Sequence, residues 1–130
     1  MTTELYYLFL TAVLTILLWV PYILNQISVQ GLTTAVGYPE NPAPLSGWAA
    51  RLKAAHYNAV ENLVVFATLV LVAHVVGVSD AATQLSAQVY FWARVVHPLA
   101  YTLAIPWVRT LSFAVSFLAQ LCIAWQIFSA

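Results

Sequence analysis

The sequence predicts an all-α membrane protein, a bundle of four transmembrane helices in up-down order. The first observation is the scarcity of charge. The 130 residues carry four bases and four acids, where an average soluble domain of that length has roughly 32 charges. The second is that 63% of the residues are apolar, more than a small soluble domain can hide and too many for a disordered chain. The third is what is missing. Cys122 is the only cysteine, which excludes a disulfide scaffold, and zero net charge leaves no basic face for nucleic acid.

A bilayer core of about 30 Å needs some 20 mostly apolar helical residues. The first span is residues 5–24, with Glu4 just outside it. Tyr6 and Tyr7 at one end, and Trp19 and Tyr22 at the other, form interfacial belts, and Pro21 marks an end or a kink. Its front has an acid and no base, so it reads as a span rather than a cleaved signal peptide. Residues 25–46 form the one long connection, punctuated by Gly31, Gly37, Pro39, Pro42 and Pro44. Ser46 is the expected N-cap of the second helix.

The second helix, residues 47–76, is polar in its first half and apolar in its second. At 1.5 Å per residue it would be about 45 Å long, so the polar half belongs in the interface or beyond it. Residues 77–80 make a short turn, and the third helix covers residues 82–105. Pro106 breaks the chain before the fourth helix, residues 107–128. These spans make residues 1–130 a single integral membrane domain. Arg51, Lys53 and Arg109 all fall on the side of the first and third connections, while Glu4 and Asp80 mark the other. The positive-inside rule then places both termini outside the cytoplasm.

The polar residues lie in stripes. Arg51, Asn58 and Asn62 share one face of the second helix, with Glu61 at its edge and Lys53 off it. On the third helix, Tyr90, Arg94, His97 and Tyr101 step by four, three and four along one face. Arg109 opens the fourth helix nearby. Charges inside a membrane helix cost about 2.5–3.5 kcal/mol each on insertion scales, so such groups face the bundle interior and pair. A structural reading makes Glu61 and Arg94 an interhelical ion pair, with Asn58 and Tyr101 as hydrogen-bonding glue. On that reading Arg109 is an interfacial anchor and His97 a hydrogen-bonding partner. A functional reading takes three cations, one anion, amides and phenols on one membrane side as a site for a zwitterionic ligand with excess carboxylate. No His, Cys or carboxylate pair has metal-ligand spacing on one face, so no metal is expected. A transporter or proton relay would want ionisable groups strung across the bilayer, whereas these cluster at one side.

Three motifs carry a resemblance. Arg51-Leu-Lys-Ala-Ala-His56-Tyr-Asn58-Ala-Val-Glu61-Asn62 resembles the second-helix motif of the MAPEG family, the membrane-associated proteins in eicosanoid and glutathione metabolism. Ala93-Arg94-Val-Val-His97-Pro-Leu-Ala-Tyr101 resembles its third-helix motif, and Arg109-Thr-Leu-Ser-Phe113 the start of its fourth helix. The resemblance implies a homotrimer with glutathione sites between neighbouring subunits at the cytoplasmic side. By position, Arg51, Asn58 and Glu61 would hold glutathione's carboxylates and amino group, and Arg94, His97 and Tyr101 would complete the site. Arg109 matches the arginine that activates the thiol. Many members have an arginine where this chain has Ala54, so Arg51 or Lys53 would substitute. The short chain and loops are similar to bacterial members, implying the bacterial inner membrane.

The implied activity is a glutathione transferase, or a peroxidase, that attacks a lipophilic electrophile dissolved in membrane lipid. A cation ~4 Å from a thiolate contributes about 4 kcal/mol at an effective dielectric near 20. That is roughly three pKa units before desolvation opposes it, against a free thiol pKa near 8.5. The competing reading is a non-catalytic lipid- or ligand-binding scaffold of the same fold.

Overall fold

The computed structural model describes residues 1–130, all of them. Four long helices and one short one make up the chain: α1 Thr3–Gln30, α2 Leu32–Ala35, α3 Gly47–Val75, α4 Ala81–Thr102 and α5 Pro106–Ser129. Three of them, α1, α3 and α5, are long and apolar enough to cross a membrane. The fourth, α4, is less apolar because it turns its polar side chains inward. Thr83, Ser86, Arg94 and His97 are buried, while Leu85, Trp92, Val96 and Leu99 are exposed. Large apolar side chains are exposed on every long helix, the inverse of a small soluble domain.

Several boundaries differ from the sequence expectation. α1 continues through Pro21 to Gln30, so Pro21 does not end it. The ring removes one backbone bond, to the Leu17 carbonyl, which a membrane helix tolerates. The long connection is accordingly shorter, and four of its residues form α2. Ser46 occupies the N-cap position of α3 but makes no side-chain cap. It is held instead by Asn25, whose Nδ2 donates to the Ser46 hydroxyl at 2.9 Å and whose Oδ1 accepts from the Ser46 N–H at 3.0 Å. This clasp closes the connection onto the end of α1.

α4 starts at a full capping box between Asp80 and Thr83. It stops at Thr102, three residues earlier than expected, in a Schellman turn. Ile105 N–H bonds the Ala100 carbonyl at 2.8 Å and Ala104 N–H the Tyr101 carbonyl at 3.1 Å. α3 ends the same way, with Val78 N–H on Ala73 and Gly77 N–H on His74. The left-handed position is Gly77 after α3 (φ 78°) and Ala104 after α4 (φ 58°). A Cβ there strains the backbone by about 1–2 kcal/mol.

Most buried apolar positions are alanines, including Ala49, Ala55, Ala59, Ala87 and Ala93. Small residues let helix backbones approach closely where apolar burial gives no drive, as in lipid. The main core sits between α3, α4 and α5 around Phe66, Val70, Ala87, Tyr90, Ala119 and Ile123. Phe66 and Tyr90 stack there with centroids 3.8 Å apart. Buried hydroxyls bond back along their own helices: Thr11 to the Tyr7 carbonyl, Thr15 to Thr11, Ser116 to Phe113.

Glu4, which the sequence placed just outside the first span, lies in the first turn of α1 and is buried. Its carboxylate accepts hydrogen bonds from the Ser79 and Thr83 hydroxyls, tying the start of α1 to the start of α4. The partial positive charge at the α4 N-terminus favours an anion at this place.

Candidate functional site

The polar residues of α3, α4 and α5 meet at one end of the bundle. Asn58, His97, Tyr101, Arg109, Thr110 and Phe113 line a cavity of about 190 Å³. Asn58 comes from α3, while α4 and α5 each supply residues at helical spacing. His97 and Tyr101 are one turn apart on α4, and Arg109 and Phe113 one turn apart on α5. The Arg109 guanidinium lies over the Tyr101 ring, 4.8 Å from its centre. The His97 ring packs edge-on to Tyr101 at 5.7 Å and tilts toward Phe113 at 6.5 Å.

A second cavity, of about 150 Å³, adjoins the first and shares Tyr101 and Arg109 with it. Its other walls include Arg51, Ala104 and Pro106. Arg51 Nε donates to the Thr102 carbonyl at 2.9 Å. Arg51 therefore reaches across from α3 and fastens the last turn of α4, one residue from Tyr101.

Arg94 lies deeper. It is 1% exposed, and its Nη2 donates to Asn58 Oδ1 at 2.8 Å. Asn62 Nδ2 in turn donates to the Asn58 carbonyl at 2.9 Å. The ion pair between Glu61 and Arg94 that the structural reading offered is not the contact made: Arg94 bonds Asn58, and Glu61 is exposed and borders neither cavity. The reason is rotational. Asn58 sits on the stripe that faces α4, and Glu61, three residues on, is turned off it. Arg94 Nε and Nη1, His97 Nδ1 and the Tyr90 hydroxyl are buried with no partner in the chain. These are four atoms on three side chains within about two turns of one helix, and buried polar groups almost always find partners.

Of the expected site residues, Asn58, His97, Tyr101 and Arg109 share the larger cavity. Arg94 stands behind it through Asn58, Arg51 lines the neighbouring one, and Glu61 is apart. Thr110 and Phe113 were not singled out as site residues. Phe113 follows Arg109 by four positions, so its place on the same face was there to be read. His56 was also missed as a structural partner: Tyr22 and His56 Nδ1 are hydrogen-bonded at 2.8 Å between α1 and α3.

The family model for the MAPEG family matches residues 5–129. The chain belongs to the MAPEG family. No curated protein and no solved structure matches it. As a MAPEG protein with three helices of spanning length and apolarity, it is an integral membrane protein. The polar cavities lie where the MAPEG-like stripes of α3 and α4 meet the start of α5.

Proposed function

We propose that this MAPEG protein is a membrane-embedded glutathione transferase that ionises the glutathione thiol for attack on lipophilic electrophiles. The observation that carries this reading is Arg109 held over Tyr101 at the rim of a cavity that also presents Asn58 and His97. A guanidinium at a partly apolar cavity favours a thiolate beside it. Asn58, fixed by Arg94, offers amide groups to a peptide, and Arg51 on the adjoining cavity offers a cation for a carboxylate. The thiolate sulfur would form the new C–S bond, the leaving group departs with its electron pair, and the thiol proton goes to water.

In this reading α4 is the fourth span, with its polar face enclosed and its apolar face in lipid, completing an up-down bundle. The cavities measure about 190 and 150 Å³, below the usual ~300–1,000 Å³ of a ligand pocket. A neighbouring copy supplying further walls fits that shortfall, and it gives exposed Glu61 a place against a partner subunit rather than lipid. We accordingly read the active form as a homotrimer with sites between subunits. Both termini lie outside the cytoplasm and the site on the cytoplasmic side, in a bacterial inner membrane. The test is conjugation of glutathione to a soluble model electrophile by detergent-purified protein. Activity is expected in the parent and at least tenfold less in Arg109→Ala; unchanged activity in the variant would remove Arg109 from this role.

A further inference from the structure

Asn58 lines the larger cavity from α3, and its side chain is held from behind. Its Oδ1 accepts from Arg94 Nη2 at 2.8 Å and from Asn62 Nδ2 at 3.4 Å. A guanidinium carries donors only, and an amide nitrogen is a donor as well. The two ends of the Asn58 amide are therefore not interchangeable. Turned over, Asn58 would set its own N–H bonds against two donors, one of them a full cation. The partners fix the orientation, with Oδ1 toward Arg94 and Asn62 and Nδ2 away from them. Asn58 Nδ2 has no acceptor within the chain and is not enclosed, so its N–H bonds are free at the cavity that Asn58 lines.

Arg94 has no direct access to a ligand in that cavity. It borders neither cavity, it is 1% exposed, and its Nε and Nη1 are enclosed. Its one hydrogen bond in the chain runs to Asn58. Asn62 borders neither cavity either. The remaining charged walls agree in sign with the amide. Arg109 borders both cavities and Arg51 the smaller one, and no acid lines either. One chain thus offers cations and an N–H donor, and no carboxylate for an ammonium.

We infer that Arg94, supported by Asn62, is a positioning residue that locks Asn58 as a hydrogen-bond donor, so that this wall selects a carboxylate or carbonyl oxygen and rejects an ammonium. A hydrogen bond from a charged donor is strong enough to hold the amide one way. For the identity of the ligand the inference rests on the glutathione reading: a carboxylate or peptide carbonyl of the tripeptide belongs on Asn58, and its amino group does not. The orientation of the amide stands without that reading.

The first measurement needs no ligand. In isotope-labelled, detergent-purified full chain, the Asn58 side-chain amide signal is assigned by its loss in Asn58→Asp. Its protons are expected to exchange freely with water; protection from water would overturn the lock. The second measurement is glutathione binding by calorimetry. Asn58→Asp keeps an oxygen on Arg94 but turns a second acceptor to the cavity. Its Kd is expected to rise at least tenfold and to exceed that of Asn58→Ala. Binding as tight as in Asn58→Ala, or tighter, would overturn the donor assignment. Arg94→Met releases the amide and leaves no buried charge. It is expected to raise Kd at least threefold in the parent, and less than about twofold in Asn58→Ala, because its effect passes through Asn58. An equal loss in both backgrounds would overturn the positioning role. Asn62→Leu, which withdraws the second donor, runs the same cycle if Arg94→Met does not fold. A parent protein whose amide exchanges freely but which binds no glutathione would uphold the lock and remove the glutathione reading alone.

Discussion

The Arg109 guanidinium lies over the face of the Tyr101 ring, 4.8 Å from the ring centre, joining the last turn of α4 to the first turn of α5. Arg109 is exposed and Tyr101 is half-buried, so the ring is the fixed partner and the arginine the positioned one. Such a contact contributes about 0.5–1 kcal/mol at exposed sites. Tyr101→Phe keeps the ring face and is expected to leave kcat/KM within about twofold. Tyr101→Leu removes it and is expected to lower kcat/KM by roughly two- to fivefold. Steady-state conjugation kinetics check both.

Asn58 is the partner that the structure gives to buried Arg94. Asn58→Ala would leave the guanidinium without a bond inside the bundle, a loss of about 2 kcal/mol for a hydrogen bond to a charged group. Asn58→Asp would instead give it a counter-charge. Thermal unfolding in detergent should show the alanine variant several degrees below the parent and the aspartate variant clearly above the alanine one.

At the opposite end of the bundle, Glu4 accepts from Ser79 and Thr83 without any part in the cavities around Arg109. Glu4→Ala removes the acceptor from two hydroxyls and is expected to destabilise by about 2 kcal/mol. Glutathione binding measured by calorimetry on the folded variant should match the parent.

Ala104 holds a left-handed conformation that a glycine adopts freely. Ala104→Gly should therefore stabilise the α4–α5 turn by about 1 kcal/mol, read as a higher Tm. Because Ala104 borders the cavity shared by Arg51 and Arg109, the same variant should change KM for glutathione if the strained turn shapes that cavity.

Much of this arrangement was legible in the residues. The interval-of-four pattern of His97 and Tyr101, and the spacing of Arg51 and Asn58, name the faces that meet. Helix ends were less legible. Pro21 reads as an end or a kink, yet a helix in a membrane setting has no competing water to favour unwinding, and α1 runs on to Gln30. The end of α4 was invisible because Ala104 takes a conformation that its sequence does not advertise. The structural reading paired Glu61 with Arg94 on charge complementarity, and that pair is not formed. The amide of Asn58 is nearer to that face, and pairing depends on rotation about the helix as well as on sign. Glu4 looked like a terminal marker because nothing in its neighbourhood of the sequence announces Ser79 and Thr83.

The most direct measurement is the ultraviolet difference spectrum on adding glutathione to the detergent-purified protein, compared with Arg109→Ala. A thiolate absorbance at neutral pH in the parent, largely lost in the variant while glutathione still binds, is the expected result. Glutathione binding without a thiolate signal in the parent would contradict thiol activation and point to a non-catalytic binding protein of the same fold.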